Sequence, residues 1–379
     1  MSAIVEKFQS IPFDPGATAS RVELHSGLTR YYPKLQGNLV EREDADRETG
    51  YILIHPCSNF LTHFLLRPMA EAGMPVMALN TRYSGNEGAL IMESAALDLG
   101  TGVRWMREEL GFKRVVIVGF SGGGSLVSFY QSQAENPTVT ATPAGDPVDF
   151  SGDHLPAADA IILAGAHSGR AYSMSKWLDP SITDENDPWT NDPELDLYAQ
   201  DRSKPLDEEW LERYREGQAA RMKRISDFAR AELATAAERG VADRAFIVHR
   251  TVADPRFIDL TLDPSDREVG SMYGDPEVAN MAAGGLARFN TARSWLSTFS
   301  IDDTNAHAPR DLQSVRVPVL VVCLNADQAA FPSDSRAMAE AVPDNNSTLV
   351  VMPDLNHYLV GQEGAVDEVV AVMRNWEHS

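Results

Sequence analysis

The segment Arg114-Val-Val-Ile-Val-Gly-Phe-Ser-Gly-Gly-Gly124 carries an apolar run straight into a serine flanked by glycines. A serine on a sharp strand-to-helix turn adopts a strained backbone conformation, and the residues two before and two after it must be tiny. Gly119 and Gly123 meet that demand around Ser121. The turn lifts the Ser121 hydroxyl above a sheet edge, and the helix behind it aims its positive dipole end at a developing oxyanion. A dinucleotide fingerprint needs glycine where Ser121 stands, and a phosphate loop needs a lysine where Ser125 and Leu126 stand. The nucleophile reading is therefore preferred to a turn of purely geometric purpose.

A serine hydroxyl needs a base, and the base needs a carboxylate to orient it, in the chain order Ser, acid, His. The apolar run from Val317 ends at Asp327, and the run from Thr348 leads through Pro353 and Asp354 to His357. Both residues fall just past strand ends, at the edge of an open α/β sheet where ligands bind. Among nine histidines, His167 also follows a strand but precedes Asp327, so it is assigned to the pocket lining and His357 to the base. Asp354 competes as the orienting acid, although Pro353-Asp354 reads as the turn that positions His357.

An acyl-transfer oxyanion needs two NH donors. Gly122, next after the serine, is one. The other should come from the loop His55-Pro-Cys-Ser-Asn-Phe60, where Pro56 has no NH, which leaves Cys57 or alternatively Ser58. Cys57 as a nucleophile has no base identified by its neighbours; its simpler reading is a small residue in a tight turn.

Around these residues, short β-branched runs alternate with helical patterns: strands at 51–55, 75–79 and 114–119, helices at 60–72 and 94–109, then a helix from about 122 and a strand at 158–164. Strands this continuously apolar are buried on both faces of a parallel sheet. The next comparable strand is 318–324. Between them lie a Trp, Pro and Asp-rich loop (177–193), a long helix from about 207 to 239, a hairpin expected within 245–262, and a helix at 286–299. The tail resumes the alternation with a helix at 333–342, a strand at 348–352 and a helix at 364–377.

On these residues the chain resembles the α/β-hydrolase superfamily, over roughly residues 36–166 and 314–379. The elbow Gly119-Phe-Ser-Gly-Gly123, the acid Asp327 and the late His357 sit where that family has them, whereas His55-Pro56 replaces its frequent His-Gly. The resemblance implies a mostly parallel sheet flanked by helices with a mainly helical cap inserted between two late strands. The expected organisation is a core of 1–167 and 314–379 with a cap of 168–313. Caps shape the substrate pocket, so His167, Phe120, Trp177, Tyr273 and Trp295, with Trp189, Met272 and Phe289, are pocket candidates. Each is otherwise an ordinary core residue. Arg82, Arg170 and Arg293 are candidates for a substrate carboxylate and, otherwise, structural ion-pair residues.

The implied chemistry is hydrolysis of a small to medium carboxylic ester or lactone through an acyl-enzyme, with no cofactor and no metal. Carbon–carbon bond hydrolysis or acyl transfer on the same triad, or a ligand-binding protein without turnover, are the alternatives. Lys plus Arg number 33 and Asp plus Glu 55 in 379 residues, a net charge of −22 that repels phosphate backbones and argues against nucleic-acid partners. No apolar run approaches the roughly 20 residues of a membrane span. Glu6, Lys7 and Asp14 interrupt the start where a secretory signal needs an apolar run, and two cysteines cannot build a disulfide framework. The expectation is a cytoplasmic protein, with a homo-oligomer left open.

Overall fold

The computed structural model describes residues 2–13 and 34–377. Of the charged N-terminal stretch noted above, Asp14 lies outside the described residues, as do the ends of the core at 1 and 378–379. In chain order the elements are β1 (Ile4–Pro12), β2 (Lys34–Arg42), β3 (Thr49–His55), α1 (Leu66–Glu71), β4 (Val76–Asn80), α2 (Met92–Glu108), β5 (Arg114–Phe120), α3 (Gly123–Glu135) and β6 (Ala160–Ala164). There follow α4 (Arg170–Trp177), α5 (Glu208–Glu238), β7 (Ala245–Ile247), α6 (Pro276–Met281), β8 (Phe289–Thr291), α7 (Ala292–Thr298) and α8 (Ala308–Leu312). The chain closes with β9 (Val319–Leu324), α9 (Pro332–Ala341), β10 (Ser347–Met352) and α10 (Ala365–Glu377).

Among the described residues, eight strands form one sheet in the order β1-β2-β4-β3-β5-β6-β9-β10. The six from β4 to β10 run parallel, while β1 and β2 add an antiparallel edge. Alternate side chains of a strand face opposite sides. Thus Ile52, Ile54, Val115 and Ile117 join one apolar core, and Tyr51, Leu53, Val116 and Val118 the other. The helical insertion between β6 and β9 has a third core of its own, built on Trp177, Trp210, Tyr214, Phe257, Trp295 and Phe299.

Three expectations change. The helix expected at 60–72 shrinks to α1, because Asn80 Oδ1 accepts from the Phe60 NH and Asn59 Oδ1 from the Leu61 NH, which diverts that backbone from helical pairing. The expected 245–262 hairpin does not form; β7 pairs instead with the distant β8. The helix expected from 286 starts at Ala292, where Thr291 and Ser294 form a reciprocal capping box. The antiparallel strands β1 and β2 were not expected at all. Their signal is broken by buried polar residues with partners, such as Glu41, which binds Lys7 and Arg47.

The insertion is tied together by buried charge. Arg221 is fully buried and donates to the carbonyls of Asp179, His249 and Arg250. Asp179, just past α4, accepts from Arg250 Nε at 2.9 Å and Asn280 Nδ2 at 2.6 Å. Removing one member of such a pair strands a buried charge. Asp179→Ala should therefore lower stability by about 3–5 kcal/mol, read as a shift of the urea unfolding midpoint.

Candidate active site

Because β3, β5, β9 and β10 are parallel, their carboxyl ends reach the same edge of the sheet, and the chemistry-bearing residues gather there. Ser121 occupies the turn from β5 into α3 with φ 54°, the left-handed region that a non-glycine residue enters only at a cost. The turn is held by its surroundings. Ser121 N donates to the Ala164 carbonyl at 3.1 Å, and a Cβ on Gly119 would lie 2.6 Å from the Gly123 carbonyl oxygen. A Cβ on Gly123 would collide with the Ile54 carbonyl at the end of β3. Both glycines are therefore required by close approach of backbone to backbone.

His357 Nε2 lies 3.0 Å from Ser121 Oγ, and His357 Nδ1 lies 2.6 Å from Asp327 Oδ2. The other carboxylate oxygen of Asp327 accepts from the NH groups of Ala329 at 2.6 Å and Ala330 at 2.9 Å, so the acid is anchored independently of the histidine. Asp327 is fully buried and His357 nearly so. Asp354, by contrast, is exposed in a turn at φ 58°, with its NH donating to Asp266. The structure thus brings Ser121, His357 and Asp327 into one hydrogen-bonded line.

A cavity of about 150 Å³ opens over Ser121, lined among others by His55, His167, Arg170, Trp177, Tyr273 and Tyr358. Met272 also lines it. Four pocket candidates lie elsewhere. Phe120 packs beneath the His357 ring, with centroids 5.5 Å apart, and Trp295 is fully buried in the core of the insertion, donating to Ser226 Oγ. Trp189 and Phe289 are largely exposed. Of the three arginines, Arg170 faces the cavity and pairs with Glu87, whereas Arg82 pairs with buried Asp98 and Arg293 with Asp146.

The NH groups expected as second oxyanion donor point away from that task. Pro56 turns the loop back on the His55 ring, so that Cys57 N at 3.2 Å and Ser58 N at 2.9 Å both donate to His55 Nδ1. The Cys57 thiol is buried and its pKa is raised by that burial, which keeps it protonated. His55 itself was passed over in the sequence, although it ends a buried strand at the same sheet edge as Asp327 and His357. A Cβ on Gly122 would lie 2.7 Å from His55 Nε2 and 3.1 Å from Arg170 Nη1, so this ring and the guanidinium occupy the space a side chain would take.

Burial favours the neutral form of three histidines, His55, His63 and His167. It lowers His55 well below its ordinary value, helped by the Arg170 charge, lowers His63 to about 3 and lowers His167. The sign of the linkage follows. Between the ordinary value of about 6.5 and the folded value the unfolded chain binds the proton and the folded chain does not, so stability falls as pH drops through that window. Thermal melting should shift downward between pH 6.5 and about 3. His63→Gln, which retains an acceptor for the Leu65 NH, should flatten the dependence by up to about 1.4 kcal/mol per pH unit.

No protein-family model and no curated protein matches this sequence. Solved structures do. The chain is similar to DcsB, in a complex with its substrate analogue, at a TM-score of 0.53 and 12% identity over 98% of each chain. It is also similar to a hypothetical protein from Pseudomonas aeruginosa, at 0.51 and 11% over 98% of this chain and 94% of that one. Est1E from Butyrivibrio proteoclasticus aligns at 0.47 and 12% over 91% and 96%. Among the described residues no helix is long and apolar enough to cross a membrane. With six parallel strands, the serine on the turn after β5 and a helical insertion between β6 and β9, the chain has the fold of the α/β-hydrolase superfamily.

Proposed function

We propose that this protein is a serine hydrolase that cleaves a carboxylic ester or lactone of a small to medium organic molecule. The observation that carries this reading is the line from Ser121 Oγ through the His357 ring to the anchored Asp327 carboxylate, set at the floor of a cavity. Ser121 Oγ attacks the carbonyl carbon while His357 Nε2 takes the hydroxyl proton. Asp327 holds the other ring nitrogen and stabilises the imidazolium that forms. The Gly122 NH, first after the nucleophile, binds the oxyanion. Collapse of the tetrahedral intermediate expels the alkoxide, which receives the proton from His357. A water deprotonated by the same ring then releases the acid from the acyl-enzyme.

The cavity is small beside the roughly 300–1,000 Å³ of pockets for drug-sized ligands, which favours a short acyl group. Residues 168–313 serve as the cap, since α4 from that segment supplies Arg170 and Trp177 to the cavity wall. The two cysteines are free, buried thiols, in keeping with a reducing, cytoplasmic setting.

The test needs no knowledge of the natural substrate. Incubation with a fluorophosphonate should add one phosphonyl mass to the parent protein and none to Ser121→Ala, read by intact-mass spectrometry. On p-nitrophenyl acetate Ser121→Ala should lower kcat by about 10⁶-fold. Ordinary turnover by that variant would end the assignment.

A further inference from the structure

We propose that the second donor of the oxyanion hole is a side chain, the Nε2–H of His55, acting beside the Gly122 NH. This rests on the serine-hydrolase reading above.

The tautomer is dictated by the loop. Two backbone NH groups, from Cys57 and Ser58, converge on His55 Nδ1. A nitrogen that accepts two hydrogen bonds carries no hydrogen, so in the neutral ring the proton resides on Nε2. The ring is buried and next to the Arg170 guanidinium, and both conditions keep it from taking a second proton. It is therefore a fixed donor at every pH at which the enzyme would work.

The donor nitrogen is placed against Gly122. Nε2 lies 2.7 Å from where a Gly122 Cβ would stand, so the donor nitrogen and the Gly122 backbone flank one small volume next to Ser121. His55 and Ser121 both line the cavity, and no described residue hydrogen-bonds Nε2. Arg170 Nη1 stands over the same glycine and adds positive potential to the volume in which negative charge develops.

The arrangement also accounts for Pro56. The residue after the strand need not present an NH when the side chain before it does the donating. Instead Pro56 helps fold the loop back so that the next two NH groups reach the ring. Its carbonyl accepts from Thr81 Oγ1 at 2.6 Å, and the Cys57 carbonyl accepts from Gly85 N at 2.8 Å, which pins the loop on its outer side.

The rival view is that His55 merely ties the loop down. Two substitutions separate these roles, because an asparagine amide overlays the Nδ1 end of a histidine and a glutamine amide reaches the Nε2 end. His55→Asn keeps an acceptor for Cys57 and Ser58 but leaves the oxyanion volume without its donor. His55→Gln restores an NH near the position of Nε2. The experiment measures kcat and KM on p-nitrophenyl acetate for the parent, His55→Asn, His55→Gln and Ser121→Ala, with circular dichroism and melting as the check of folding. Fluorophosphonate labelling of the parent is run beside them.

His55→Asn is expected to lower kcat by about 10²–10³-fold with KM changed less than threefold, and His55→Gln to recover at least tenfold over it. A His55→Asn variant as fast as the parent, or a folded His55→Gln variant slower than His55→Asn, overturns the donor role. If the parent labels and Ser121→Ala does not, that result leaves the serine-hydrolase reading standing. A parent that neither labels nor turns over overturns both.

Discussion

The molecule depends on one close approach, the packing of the β5–α3 turn onto the carboxyl end of β3. Backbone meets backbone there, with room for no Cβ at Gly119 or Gly123. That contact holds Ser121 at positive φ, which would relax if the turn stood free. It also sets Gly122 against the His55 ring, so the residue that follows the serine and the residue that ends β3 are fixed relative to each other by main-chain sterics. The His357 and Asp327 side chains are then delivered by neighbouring parallel strands whose ends share the same edge. A site assembled this way owes its geometry to the sheet, which is rigid, more than to its loops.

Around that point the protein keeps charge scarce. Burial leaves His55, His63 and His167 neutral, and the charged pair facing the cavity, Arg170 with Glu87, brings one sign of each. A wall with little net charge in a low-dielectric setting strengthens whatever hydrogen bonds form within the cavity. The net charge of −22 bears on solubility and partners more than on the chemistry within the cavity.

The insertion answers a different physical demand. It must present Arg170, Trp177 and Tyr273 to the cavity while folding around its own centre. Its apolar core alone does not tie the non-helical segments at Asp179 and at His249–Arg250. Buried arginines do, by donating to main-chain carbonyls that no sheet or helix satisfies. Such residues look like surface charges in a sequence, since nothing local marks Arg221 as the most enclosed arginine of α5.

The sequence by itself determined the alternation of buried strands and helices, the elbow around Ser121, the order Ser121, Asp327, His357 and the presence of a long insertion. Each of these is written in local periodicity or in residues a few positions apart, and α5 ended within a residue of its expected bounds. Only the tertiary structure decided the antiparallel edge of β1 and β2, the pairing of β7 with β8, the burial of Trp295, and the loop that turns Cys57 and Ser58 toward His55. These depend on partners distant in the chain, and a polar residue whose partner is distant reads as exposed until the fold brings the two together.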